Sequence, residues 1–249
     1  MIGLQSFCLR GFEDNATVAD KVKECGLSTI EVCGRHADFS VPAAFKNVID
    51  IYNNRGVRIV SVGVNTLTGE GAHDRAVFEC AHLAGLRVMS VSFKIDTFDA
   101  ALRSAAALSE EFQIRLGIHN HGGRHWLGSS EALRWALAKG GSRFGLCLDT
   151  AWALQSHEDP LEMTKEFRDR LFLVHIKDFV FDRSGKEEDV IVGTGNLALG
   201  RLDQLLAEIG FEGPAILEYE GDVANPLPAL KECVARIEAE MPHLAGGRV

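Results

Sequence analysis

Four short stretches of this chain end in side chains that can hold a cation or move a proton. The first is Leu116 to Gly123, Leu-Gly-Ile-His-Asn-His-Gly-Gly, which starts as an apolar strand and closes on two histidines and two glycines. Side chains alternate faces along a strand, so His119 and His121 share one face while Asn120 takes the other. Three later stretches finish in the same manner: Cys147-Leu-Asp149, Leu173-Val-His175 and Ile216-Leu-Glu218. Two imidazoles and two carboxylates form a donor set for a divalent transition ion, with Mn, Co, Fe or Zn more natural than Mg. Such an ion keeps an open position for substrate oxygens or water. Each residue taken alone also has a plain structural role: a hydrogen-bonded rim histidine, an aspartate capping the next loop, a glutamate paired with a lysine.

The elements that must position these groups repeat along the whole chain. Short apolar runs read as strands and longer 3.6-period segments as helices. Strands are expected at residues 2–8, 28–33, 57–64 and 88–94, alternating with helices at 16–25, 42–54, 72–83 and 98–112. The second half continues with strands at 116–121, 144–149, 171–177 and 215–219. Its helices are expected at 130–137, from about Pro160, at 199–209 and at 227–240, with a long polar loop after the seventh strand. Ser129 and Ser130 supply capping groups, and Pro160 suits a first helical turn.

Eight strand–helix units, most helices stopping at a glycine, form the pattern of a single-domain α/β (β/α)8 TIM barrel over residues 1–249. The 249 residues give about 31 per unit, and such barrels typically run to about 250 residues. The competing open doubly wound sheet would carry a G-x-G-x-x-G after its first strand, which is missing here. In a barrel, chemistry gathers where strands end. His119, Asp149, His175 and Glu218 close strands five to eight, which are consecutive neighbours.

Composition narrows the classes of partner. With 46% hydrophobic and 24% charged residues the chain can bury a core. A formal charge of −9 argues against a nucleic-acid surface, which needs a basic stripe. Six cysteines without a C-x-x-C pair point to a reduced compartment. No apolar run reaches the roughly 18 to 20 residues of a membrane span, and no apolar signal stretch opens the chain. The expectation is a cytoplasmic protein acting on a small molecule, without nucleic-acid or membrane partners. Apolar helix faces leave room for a homo-oligomer.

The second half resembles the sugar phosphate isomerase/epimerase family, the xylose-isomerase-like TIM barrels. The matching stretches are Ile118-His-Asn-His-Gly122, Phe144-Gly-Leu-Cys-Leu-Asp-Thr150, Leu173-Val-His-Ile-Lys-Asp178, Val192-Gly-Thr-Gly195 and Ile216-Leu-Glu-Tyr-Glu220, with a weaker echo in Ile30-Glu31-Val32. The resemblance implies a divalent ion (Mn, Co, Zn, Fe or Mg) held at the ends of strands five to eight, usually by Glu, Asp, His and Glu. It therefore implies Asp149, His175 and Glu218 as ligands, with His119 standing where the first Glu is often found. Relatives often read Asp-x-Gly-His where this chain reads Asp149-Thr-Ala-Trp152. Of the paired glutamates that family epimerases use, only Glu218 is left.

Alternation along the strands adds His121, Lys177 and Glu220 to the inward face, two residues beyond His119, His175 and Glu218. Lys177 can neutralise a developing oxyanion or bind a substrate carboxylate or phosphate; the alternative is a salt bridge to a neighbouring acid. Glu31, at the end of strand two, is expected across the mouth, as a proton acceptor or hydroxyl contact or as one half of a rim ion pair. Trp126 and Trp152 are candidates for an apolar wall against a sugar, or for lid residues. Val192-Gly-Thr-Gly195 has the form of an anion-cradling glycine loop.

These residues predict a divalent-metal-dependent isomerase or epimerase of a sugar, keto-sugar or cyclitol, working through a metal-stabilised enediolate. Glu218, His121, Lys177 and Glu31 would be the catalytic groups, and Trp152, Trp126 and Glu220 substrate contacts. The alternative is a metal-dependent dehydratase on a keto-cyclitol or keto-sugar, with His121 as principal base. An endonuclease-branch relative and a non-catalytic sugar-binding barrel are the weaker readings.

Overall fold

Residues 2–246 are described by the computed structural model; Met1 and residues 247–249, the two ends of the expected domain, lie outside that range. Strand β1 (Ile2–Gln5) leads to helix α1 (Asn15–Glu24), and β2 (Thr29–Val32) to α2 (Pro42–Asn54). Two short strands, β3 (Arg58–Val62) and β4 (Asn65–Leu67), precede α3 (Gly71–Leu83); β5 (Val88–Phe93) precedes α4 (Phe98–Phe112). Then come β6 (Arg115–His119) with α5 (Ser130–Gly140), and β7 (Phe144–Asp149) with α6 (Thr150–Gln155) and α7 (Pro160–Glu166). Strand β8 (Leu171–Ile176) is followed by a hairpin of β9 (Asp178–Phe181) and β10 (Glu187–Val190) and by α8 (Leu199–Glu208). Strand β11 (Ala215–Leu217), α9 (Leu227–Glu240) and α10 (Pro242–Gly246) complete the described chain.

The helices start where polar side chains meet their first free N–H groups. Asp14 accepts from Thr17, Ser129 from Ala132, and Asp159 from Leu161 just ahead of Pro160. Each bond satisfies one of the donors that a helix start leaves unpaired.

The main sheet is parallel throughout, in the order β3-β2-β1-β11-β8-β7-β6-β5-β4. Its two edges, β3 and β4, are successive halves of one extended run broken at Gly63–Val64. The sheet therefore curls into a nearly closed TIM barrel of eight staves, the third of them split. This is the expected fold, and β6, β7, β8 and β11 are the adjacent staves expected to carry the site. The barrel axis is plugged directly beneath them: a Cβ on Gly117 would meet Leu173 and Cys147. Gly117, Cys147 and Leu173 stand two residues before His119, Asp149 and His175, so the four-residue cluster rests on a packed floor.

The structure departs from the sequence expectations in a few places. The first strand stops at Gln5 because Ser6–Leu9 turns into a 3-10 helix. Helix α6 begins immediately after Asp149, whose side chain caps it by accepting the N–H of Trp152. The polar loop after β8 holds the β9–β10 hairpin, whose second strand, Glu187-Glu-Asp-Val190, is too acidic to read as a strand. The six cysteines are all buried and none is in a disulfide. Among the described residues no helix is long and apolar enough to cross a membrane.

Candidate metal centre

His119 and Asp149 are the last residues of β6 and β7, His175 lies one residue from the end of β8, and Glu218 follows β11. Register brings Asp149 opposite His175 across the β7–β8 pair. One ligand-type atom from each of the four lies within 4.8 Å of the others. His119 Nε2 is 3.6 Å from Asp149 Oδ2, and His175 Nδ1 is 2.8 Å from Glu218 Oε2. His119, Asp149 and His175 are buried, and the Glu218 side chain is 12% exposed, so the cluster opens toward the mouth through Glu218.

The hydrogen-bond inventory of this cluster is incomplete in an informative way. Asp149 Oδ2, His175 Nδ1 and His119 Nδ1 are buried without a hydrogen-bond partner; His175 Nδ1 is near Glu218 but out of line for a hydrogen bond. Buried polar atoms are rarely left so, because each unmade bond costs about 1–3 kcal/mol. A cation in the cluster would satisfy Asp149 Oδ2 and His175 Nδ1, and two imidazoles with two carboxylates suit Mn, Fe, Co or Zn. The residues thus fit a divalent ion.

Electrostatics point the same way. Burial alone would raise the Glu218 carboxyl, but the Lys177 ammonium and the His175 imidazole outweigh it and hold the group well below the usual carboxylate range. Burial alone would lower His175, but Cys147 beneath it and the carboxylates of Glu31 and Glu218 drive it well above its ordinary value. A proton here is the charge that a bound cation would replace.

Two side chains fix the frame. Asn120 points away from His119, as alternation requires, and clamps the backbone of Asp149: its Oδ1 accepts the Asp149 N–H at 2.7 Å and its Nδ2 donates to the carbonyl at 3.0 Å. Thr150 Oγ1 bridges the β8 end, donating to the Lys177 carbonyl at 2.6 Å and accepting the Lys177 N–H at 3.0 Å.

The remaining sequence candidates fall into three groups. His121 stands beside the centre, its ring 4.8 Å from that of His119 and 4.2 Å from that of His125, with Nε2 3.1 Å from Ser92 Oγ. Burial, with the neighbouring imidazoles, pushes it down to about 3. Lys177 is buried, in close contact with Glu220 and 3.6 Å from Asp189 Oδ2, its Nζ 5.2 Å from the Trp152 ring centre. Of the two readings of Lys177, the structure therefore contains the salt bridge, and Glu220 is its partner. Burial would lower the ammonium, yet Glu218, Asp149 and Glu220 hold it far above the ordinary lysine value.

Glu31 is not across the mouth. It is fully buried inside the barrel, with Oε2 2.7 Å from His175 Nε2. The two tryptophans do not form one wall. Trp152 packs edge-on against Phe179, while Trp126 donates its Nε1–H to the Phe93 carbonyl and packs on Phe98. Trp126, His121, His125, Ser92 and Lys94 line an open cleft of about 650 Å³.

The glycine loop at 192–195 does not offer an anion cradle. The Asp178 carboxylate already accepts the N–H groups of Gly193, Gly195, Asn196 and Leu197 at 2.8–2.9 Å. Ser92, His125 and Asp189 escaped sequence reasoning. His125 carried the available signal, a third histidine within seven residues of His119.

Comparison with known proteins bears on all of this. Residues 19–240 match the family described as xylose isomerase-like TIM barrels. Inosose dehydratase of Clostridium perfringens is 24% identical over 203 residues, covering 74% of this chain and 65% of that enzyme. The match thus spans just under two thirds of the curated relative's length. Among solved structures, a xylose isomerase domain protein from Alicyclobacillus acidocaldarius superposes with a TM-score of 0.77 at 17% identity, covering 99% of this chain and 100% of that one. D-psicose 3-epimerase, solved in the presence of D-fructose, gives 0.74 at 13% identity, covering 96% and 99%. At such identities the two structures speak for the fold alone.

Proposed function

The chain belongs to the xylose isomerase-like TIM-barrel family, and on that premise we propose that it is a divalent-metal-dependent enzyme moving a proton on the carbon beside the carbonyl of a sugar, keto-sugar or cyclitol. One observation carries this reading: four metal-competent groups from adjacent staves meet within 4.8 Å, and buried ligand atoms among them have no other partner. His119, Asp149, His175 and Glu218 would hold the ion. When bound, it supplies a Lewis acid that polarises the substrate carbonyl and acidifies the neighbouring C–H.

The chain's own residues do the rest. With His121 as the tautomer whose Nε2–H donates to Ser92 Oγ, 3.1 Å away, Nδ1 is bare and takes a proton from the substrate carbon. Glu218, ionised at the open edge of the cluster, would shuttle the substrate's hydroxyl proton between neighbouring oxygens in an isomerase, while His121 hands its proton back to the adjacent carbon. Lys177, anchored by Glu220 and Asp189, presents positive charge to an oxygen gaining negative charge. Trp126 and the cleft beside it hold the rest of the substrate, and Trp152 borders the Lys177 side. Such an enzyme would work in the cytoplasm on a small molecule.

A second reading uses the same first step and a different ending. If the carbon next to the enolate carries a hydroxyl, its departure gives a dehydratase. The presence of one glutamate where family epimerases use two supports this reading, as does the likeness to inosose dehydratase. Lys177 would then stabilise charge on the departing oxygen.

Metal analysis of the purified protein, followed by a keto-sugar and keto-cyclitol panel in deuterated water, tests the proposal. Exchange of the α-hydrogen without loss of mass marks an isomerase or epimerase, and a new conjugated chromophore marks a dehydratase. Replacing His175→Ala should remove bound metal and activity together; a variant with full activity would rule the scheme out.

A further inference from the structure

Glu31 is built into the protein with unusual care for a residue that touches no solvent. It is 0% exposed. Its Oε1 accepts the hydroxyls of Ser61 on β3, at 3.0 Å, and of Ser90 on β5, while Oε2 meets His175 Nε2 at 2.7 Å. Between β3 and β4 the chain passes Gly63 at φ +154°, and a Cβ there would overlap Ser90 Oγ and press on Glu31 Oε1 at 3.0 Å. Only glycine takes that backbone conformation and leaves that space. Staves β2, β3, β5 and β8, with one glycine, thus converge to orient a single carboxylate. A substrate-touching acid or base needs an opening, and Glu31 has none.

A carboxylate only accepts hydrogen bonds, so its partner nitrogen on His175 must carry the hydrogen. That leaves Nδ1 as the nitrogen a cation can claim by displacing the second proton of the metal-free ring, and Nδ1 is the atom facing Glu218 in the cluster. Histidine ligands commonly hand their far N–H to a carboxylate, which fixes tautomer and ring angle and makes the ligand nitrogen more basic. We propose that Glu31 is the positioning residue of the metal centre: it locks His175 as the Nε2–H tautomer and presents Nδ1 to the cation. Ser61, Ser90 and Gly63 in turn fix Glu31. This rests on the metal-centre reading above and adds to it a residue outside the ligand set.

The test is a cobalt(II) titration of the metal-free protein, followed by calorimetry and by the visible absorption of bound cobalt. Wild type is compared with Glu31→Gln, which keeps an acceptor and removes the charge, and with Glu31→Ala. Affinity should drop about tenfold in the first and approach a hundredfold in the second, within the range expected for outer ligand partners. The cobalt absorption should shift in both. In the zinc-loaded wild type, long-range proton–nitrogen correlation should find the His175 hydrogen on Nε2 and the metal on Nδ1. If Glu31→Ala fails to fold, Glu31→Gln and the zinc spectrum still decide. Unchanged cobalt affinity and absorption in the variants, or zinc on Nε2, overturns the proposal while the metal centre stands. A wild type that takes up no cobalt overturns both.

Discussion

Asp149 and Asp178 are two aspartates at the same end of the barrel, both fully buried. Their hydrogen bonds could hardly differ more. Asp178 has both oxygens occupied: Oδ2 by the N–H groups of Gly193 and Gly195, Oδ1 by those of Asn196 and Leu197. Asp149 uses Oδ1 to cap helix α6 through the Trp152 N–H, and its Oδ2, buried, has no hydrogen-bond partner. The first is a fastening that ties a loop to the barrel. The second is half fastening and half reserved capacity. Burial of a charged group therefore does not mark a functional site by itself; what marks it is bonding capacity that the fold leaves unused.

Conservative amide substitutions pull the two apart. Asp178→Asn keeps the size but sets an NH2 group against backbone donors, orphaning two of them. Each buried donor left without an acceptor costs about 1–3 kcal/mol, so urea unfolding should register a loss of about 3 kcal/mol or more. Metal affinity, measured on the folded variant, should stay at the wild-type level. If Asp178→Asn abolishes metal binding without loss of stability, the contrast is wrong.

Asp149→Asn should do the reverse. Its Oδ1 still caps α6, but the reserved oxygen loses its charge. Metal affinity should fall by at least the roughly 100-fold that the loss of an outer-shell partner can cost. Unfolding of the metal-free variant should match wild type or lie above it, since four ionisable groups no longer share one buried pocket. Equal metal affinity in calorimetry would remove Asp149 from the site.

How much of this contrast could be read from the sequence depends on distance along the chain and depth in the barrel. The barrel, and the gathering of His119, Asp149, His175 and Glu218 at its mouth, followed from period and position, because each closes an apolar run. Asp178 gave no such sign: its partners arrive 15 to 19 residues later, inside a loop without periodicity. Glu31 was legible as a residue at the end of strand two, expected across the mouth, but not as a buried one. Alternation reports the face of a strand, whereas height along the barrel axis depends on stagger between staves. Here the pairing of β2 with β3 slips between Ile30 and Glu31, an irregularity that no single strand's sequence records. Helix α6 was hidden because six residues are too few to show a helical period.

Asp189, on the β9–β10 hairpin, stands between the two extremes and gives the smallest of the expected effects. Its Oδ2 accepts the Glu220 N–H at 2.9 Å and faces Lys177 at 3.6 Å, while Oδ1 is buried without a partner. Burial pushes its carboxyl up to about 7, against the pull of Lys177, from an ordinary 3.8. The folded chain then holds a proton that the unfolded chain has released across that window, so stability falls as pH rises from about 4 to about 7. Asn cannot ionise, so Asp189→Asn should lack this part of the pH dependence. Between pH 5 and pH 8 the wild type should lose about 2 kcal/mol relative to the variant in urea unfolding. A parallel pair of pH profiles would mean that Asp189 stays ionised, fully compensated by Lys177, and would group it with Asp178 as a fastening.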